Sequence, residues 1–396
     1  MALRTVYPFI IAILLVSPGL AQKKVRYTSE LRALFKELDA GYPFFKEKGI
    51  EKDWRATKKD LLGRAKKCRR EEDFVPLIVD ALRALRDGHA AIVEMRPKPP
   101  RSEPSFWPGV VLVPAGEGRV AVAAAPPENV RDLPPGTVVD AIDGRPAREF
   151  LDAVGEADWQ RGGFFSSPQR ARFFAYRLAL AGERGAKHTL QVRRGKKRQR
   201  VRLRSQHEVK GWMHLCVPPG GLVQGAKSVW HTALDEETAY VWFRRMDATA
   251  ADGLRVAIAA HTAASRWIVD LRGNAGGGYS RSMKDALAKL GRHVAVIIDA
   301  GTVSAGETLA RDLARICRAR IFGTRSAGSS SQKKIWAFPS GVATIRYSVR
   351  SRVSVGGKPI EYRGIVPDIE LEADPDDLAA GRNTEIEAAR AWLAKP

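Results

Sequence analysis

Cysteine is scarce in this 396-residue chain: Cys68, Cys216 and Cys317 are an odd number set far apart. Their spacing matches neither a disulfide scaffold nor a thiolate metal site, which leaves one bridge between two of them or three plain packing residues. Histidine is sparse too, and neither His207 with His214 nor His231 with His261 has the spacing of a zinc-binding helix. No metal and no other cofactor is expected. Only one long apolar run occurs, near the start, so no membrane-spanning segment is expected after it. Acidic residues number 44 against 66 basic ones, a formal charge of +22. Hydrophobic content of 44% and charged content of 28% indicate a globular protein and exclude extensive disorder.

Residues 1–21 hold one early cation (Arg4), an apolar run from Phe9 to Val16, and Ser17-Pro18-Gly19-Leu20-Ala21 ahead of Gln22. This is the layout of a cleavable secretory signal. The expectation is an exported protein, periplasmic or extracellular, or membrane-anchored where the signal stays uncleaved. Removing the signal takes away only Arg4 among charged residues and leaves +21. The densest basic run, Arg193 to Arg204, alternates after Gly195 as the second strand of a hairpin with its cations outward. Such charge suits anionic envelope components, and it equally keeps a solvated sheet edge from aggregating. No recognition motif accompanies it, so no specific nucleic-acid partner is expected.

Residues 22–96 read as a helical segment. Leu31, Leu34, Phe35 and Leu38 share one face, and Phe74, Leu77, Ile78, Ala81, Leu82 and Leu85 repeat at helical spacing up to Arg86-Asp87-Gly88-His89. Prolines 97, 99, 100 and 104 mark a linker. Residues 97–206 read as a small β domain of five short strands, with an amphipathic stretch from Gln169 to Ala181 between them. Residues 207–396 alternate strand and helix, which implies a mixed α/β core in which the strands near 267–271 and 294–300 are parallel and share a rim.

Both strands run into residues suited to acyl transfer. The first is followed by Arg272-Gly273-Asn274-Ala275-Gly276-Gly277-Gly278, the second by Gly301-Thr302-Val303-Ser304-Ala305-Gly306-Glu307. Glycines there let backbone N–H groups face an anion. Ser304 at a helix start, with Glu307 three residues on, is a capping box, the commoner role of such a pattern. It is also where a nucleophile would find the Ala305 N–H ready to stabilise an oxyanion. His89, after a helix-ending glycine, is the best placed base, although a lone histidine in a loop is more often structural. Asp270 and Arg272 read as structural.

Four motifs, in order, carry a resemblance. Asp270-Leu271-Arg272-Gly273-Asn274-Ala275-Gly276-Gly277, Ser304-Ala305-Gly306-Glu307, Leu85-Arg86-Asp87-Gly88-His89 and Glu361-Tyr362-Arg363-Gly364-Ile365-Val366-Pro367-Asp368 resemble motifs of the C-terminal-processing (tail-specific) and tricorn-core serine peptidases. Leu133 to Gly144 is similar to the core motif of PDZ domains, while Phe106-Trp107-Pro108-Gly109 fits a carboxylate-binding loop only in part, and the segment near 155–181 looks like an insertion. The resemblance implies a ClpP/crotonase-like α/β core with an inserted PDZ-like β domain and a polypeptide substrate engaged through its C-terminus. Where tail-specific members carry a catalytic lysine, this chain has Gly328-Ser329-Ser330, with Lys333 and Lys334 off register, so the tricorn-like branch applies. That branch implies Ser304 as nucleophile, His89 as base, Glu361 as the carboxylate supporting the imidazolium, and Gly276 or Gly277 with Ala305 as oxyanion hole. Its serine before the histidine is here Gly88. The function implied is an exported serine endopeptidase or C-terminal-processing protease. The alternatives are a non-catalytic protein of the same fold that binds peptides or apolar ligands, as retinoid-binding relatives do, and a basic adhesion module.

Overall fold

The computed structural model describes residues 26–96, 104–163, 165–209 and 218–395; the signal, most of the proline linker and Cys216 lie outside the described residues. At the centre is a seven-stranded sheet in the order Val223–Ala226, Val229–Ala233, Thr238–Phe243, Arg266–Asp270, Val294–Ile298, Arg320–Gly323 and Ile369–Glu370. The first three strands are antiparallel and the remaining pairings parallel.

The central strands are apolar throughout because both of their faces are covered. Val269, Val294, Val296 and Ile298 pack with Leu254, Met283, Leu309 and Leu313 from helices Ala250–Ala260, Arg281–Leu287 and Ala305–Ile316. Their neighbours Ile268, Ala295 and Ile297 turn to the opposite face and meet Ile386, Ala389 and Leu393 of helix Thr384–Leu393. The parallel pairing of Arg266–Asp270 with Val294–Ile298 puts both loops that follow the strands at one edge of the sheet, as the sequence implies.

The N-terminal segment does not close a core of its own. Helices Tyr27–Gly41, Glu51–Ala65 and Glu71–Ala84 share one apolar cluster with Ile92, Phe338, Val342, Ile345 and Tyr347. The last four residues belong to or adjoin strands Ser331–Ala337 and Ala343–Ser351, which join Ala91–Met95 in a three-stranded sheet. Helix Glu51–Ala65 is not evident in the sequence because only Trp54, Leu61 and Ala65 on it are buried, too few to set a period.

A third sheet runs Val111–Ala115, Arg119–Ala124, Val138–Ile142, Lys187–Arg194 and Lys197–Arg204, with Arg145–Pro146 pairing beside Val138–Ile142. Helix Pro168–Leu178 lies on the amphipathic stretch that the sequence shows, and Ala147–Gln160 is a second helix beside this sheet. Lys197–Arg204 is an edge strand with Val201 and Leu203 buried and its arginines exposed, the hairpin pattern expected. Cys68 and Cys317 are free thiols. Among the described residues no helix is long and apolar enough to cross a membrane.

Arg272 fastens the last helix to the sheet. Its Nη2 lies 2.5 Å from Asp270 Oδ2 and its Nη1 3.1 Å from Glu385 Oε2. Asp270 is fully buried, so removing its partner leaves an uncompensated interior charge. Arg272→Ala is expected to destabilise the fold by about 3–5 kcal/mol, read as a fall in the urea midpoint.

Candidate active site

Ser304 closes the turn between strand Val294–Ile298 and helix Ala305–Ile316 with φ of 58°, the left-handed region that non-glycine residues seldom adopt. Such strain is held only where surroundings fix it. Arg86 and Tyr362, which flank the site in the other motifs, also have positive φ. The Ser304 N–H donates to Ser329 O at 2.8 Å and to Glu307 Oε2 at 3.0 Å, and its Oγ lies 3.3 Å from His89 Nε2. Glu307 does serve the helix start, yet it also accepts from Ser326 Oγ (2.6 Å), Gly328 N (2.7 Å) and Ser329 N (3.0 Å). Burial lifts its pKa to about 6 against these donors. One carboxylate thus joins the Ser304 turn to the 326–329 loop.

Asp299 aligns the two strand-end loops. Its Oδ1 accepts from Gly273 N at 2.9 Å, Gly301 N at 2.8 Å and Thr302 N at 3.1 Å. Asn274 adds a second tie: its side chain donates to Phe243 O and accepts from Gly276 N, and its carbonyl accepts from Val303 N. Gly276 consequently lies so near Ser304 that an added Cβ would stand 2.8 Å from the serine Cβ.

These contacts revise the oxyanion hole. The Gly276 N–H is spent on Asn274 Oδ1, because the Asn side chain closes the turn. Among the described residues, the N–H groups of Gly277 and Ala305 have no protein acceptor, so Gly277 with Ala305 is the available pair. Gly277 must be glycine: at φ of 133° any Cβ would run into the Met246 carbonyl.

His89 is buried, with 9% of its surface still exposed. Its Nδ1 faces Ser329 Oγ and Ser331 Oγ, each at 3.2 Å. Burial pushes its pKa down to about 4; Asp87 opposes this, while Lys333, Arg346 and Lys48 add to it. The imidazole is therefore neutral at ordinary pH, the state a general base needs.

Glu361 is buried near this cluster but does not bond the imidazole, which corrects the expected arrangement. Its Oε2 accepts from Ser330 N at 3.0 Å, its Oε1 lies 3.8 Å from Lys48 Nζ, and Oε1 has no hydrogen bond. The reason is steric order: the serine run at 329–331 stands between the two side chains. Burial raises the Glu361 pKa to about 8, with Lys48 opposing and Asp87 and Glu307 adding.

Several contributors escape the sequence reading. Lys48, wholly buried, donates to Tyr42 OH at 2.7 Å and Arg86 O at 2.8 Å. Ser166, from the loop before helix Pro168–Leu178, accepts from Gly88 N and donates to Ser329 Oγ at 2.8 Å. The run at 328–331 is legible as lacking a lysine, but its hydroxyls carry no signal without the neighbour they face.

The class is that of a serine peptidase. Residues 278–371 match the family described as Peptidase family S41. In fold the chain is similar to mature CPAF complexed with lactacystin, at 13% identity and a TM-score of 0.60 over 93% of this chain and 97% of that one. Mature CPAF gives the same identity and score over 93% and 96%. No curated protein matches the chain.

The two displaced pKa values act on stability with opposite sign. The His89 contribution is complete above its ordinary 6.5 and is lost as pH falls through about 4. The Glu361 contribution is complete below its ordinary 4.5 and is lost as pH rises through about 8. His89→Gln is expected to flatten the acid limb of a pH series of melting temperatures, and Glu361→Gln the limb between 4.5 and 8.

Proposed function

We propose that the protein is an exported serine endopeptidase or C-terminal-processing protease that works through an acyl-enzyme on Ser304. The observation that carries this is the 3.3 Å approach of Ser304 Oγ to Nε2 of the neutral, buried His89 at a strained helix start.

His89 Nε2 takes the hydroxyl proton as Ser304 Oγ attacks the scissile carbonyl carbon. The carbonyl oxygen becomes an oxyanion facing the N–H groups of Gly277 and Ala305. Collapse breaks the C–N bond, and the leaving amine takes the proton from His89. Water, deprotonated by the same nitrogen, then hydrolyses the ester and returns the proton to Ser304. Glu361 contributes at one remove, by holding Ser330 N–H and so the serine run against His89.

A polypeptide is the substrate class. Engagement of its C-terminus by the PDZ-like unit is supported by a cavity of about 400 Å³ between Val111 and Val113 of that sheet and Phe173, Arg177, Arg272 and Asp299. Arginines 198, 200, 202 and 204, exposed on the edge strand, support contact with anionic envelope components. The turn of Glu361 toward Lys48 favours the second reading, a non-catalytic ligand-binding protein of the same fold.

Fluorophosphonate labelling decides between them. The wild-type chain is expected to label, and Ser304→Ala and His89→Ala to lose labelling; a wild type that stays unlabelled and still binds peptide favours the binding protein.

A further inference from the structure

Asp87, two residues before the histidine, is completely buried. Its Oδ1 accepts the His89 backbone N–H at 2.8 Å, and its Oδ2 has no hydrogen bond. A buried carboxylate oxygen left without a partner is costly unless it serves something. What lies near it is a row of hydroxyls: Ser331 Oγ is 3.2 Å from His89 Nδ1 and 2.5 Å from Ser348 Oγ, and Ser348 adjoins the Asp87 carboxylate.

We propose that Asp87 is the carboxylate that positions His89 and sustains its imidazolium, acting through the hydroxyls of Ser331 and Ser348. The inference rests on the reading of Ser304 and His89 as nucleophile and base. For Nε2 to accept the Ser304 proton, Nδ1 must carry the ring hydrogen. Nδ1–H then donates to Ser331 and Ser331 to Ser348, each hydroxyl keeping its own proton, and Ser348 stands beside the Asp87 carboxylate, whose Oδ2 is the acceptor left open. The other neighbour of Nδ1, Ser329, leads only to Ser166 and the Gly88 N–H, with no anion at its end.

Charge distinguishes the two buried carboxyls. Burial pushes Asp87 upward, but Lys48, His89, Ser348 and the His89 N–H outweigh it and leave it below the ordinary value, so it stays ionised. Burial, with the Asp87 and Glu307 charges, raises the Glu361 pKa, and its carboxyl is held by the Ser330 N–H and turned toward Lys48, away from the imidazole. Asp87 is thus a positioning residue whose anion lies close behind the ring in a low-dielectric interior, where such an attraction is strongest.

The test is ¹⁵N NMR of the His89 tautomer at neutral pH, with fluorophosphonate labelling rates, for wild type, Asp87→Asn, Ser348→Ala and Ser348→Thr. The His89 signal is assigned with His89→Gln. The wild type is expected to hold the Nδ1–H form. Asp87→Asn is expected to shift the ring toward Nε2–H and slow labelling by about a hundredfold or more. Ser348→Ala is expected to move both readings the same way by less, and Ser348→Thr to restore them. Retention of the Nδ1–H form in both folded variants overturns the proposal. If Asp87→Asn does not fold, Ser348→Ala decides alone. A wild type that never labels defeats the catalytic reading, while its tautomer still decides the role of Asp87.

Discussion

The Glu307 carboxylate, sealed inside the protein with four donors around it, is the constraint on which the site depends. Two of the donors are the backbone N–H groups of Ser304 and Ser329, so one buried anion sets the distance between the hydroxyl that reacts and the loop that faces the histidine. An interior charge is tolerated only when its hydrogen bonds are satisfied, and satisfying them fixes the chain around it. The same economy recurs at Asp299, where one oxygen gathers N–H groups from both strand-end loops.

The site is therefore assembled from pieces with separate cores. Ser304 and the glycine loop follow strands of the parallel sheet, whereas Ser331 belongs to the three-stranded sheet packed under the N-terminal helices and His89 to the turn that leads into it. Ser166 comes from the segment that looks like an insertion. It touches both the Gly88 N–H and the Ser329 hydroxyl, so the helical pair is seated on the histidine loop. Seating depends on packing as well: Phe165, Phe173 and Phe174 form a cluster with Ala300, four residues before the serine.

A lysine and two carboxyls gather behind the histidine without entering it. Lys48 holds Tyr42, the Arg86 carbonyl and Glu361 around one ammonium, and Asp87 shares its field. Removing several ionisable groups from water together is expensive, and their mutual neutralisation offsets the cost. Burial raises both carboxyls and Lys48 lowers both; the Asp87 and Glu307 charges add to the rise at Glu361, whereas His89, Ser348 and the His89 N–H bring Asp87 below its ordinary value.

Much was legible in the chain itself. Apolar strands that end in Gly-rich and Ser-Ala-Gly-Glu segments set the α/β core and its shared rim, because periodicity and glycine placement are local properties; the pairing of Ser304 with His89 came from the resemblance of the motifs. Helix Glu51–Ala65 and strands Val223–Ala226 and Val229–Ala233 were not legible, since they bury too few side chains to leave a period. The order of groups behind His89 was decided only by tertiary structure. The resemblance placed Glu361 as the supporting carboxylate; packing put the run at 329–331 between them and set Ser331 against both His89 and Ser348. Which N–H groups stay free was decided in the same way, when Asn274 folded back onto Gly276. Local pattern fixes which elements form, whereas the partner of a buried polar atom depends on neighbours hundreds of residues away in sequence.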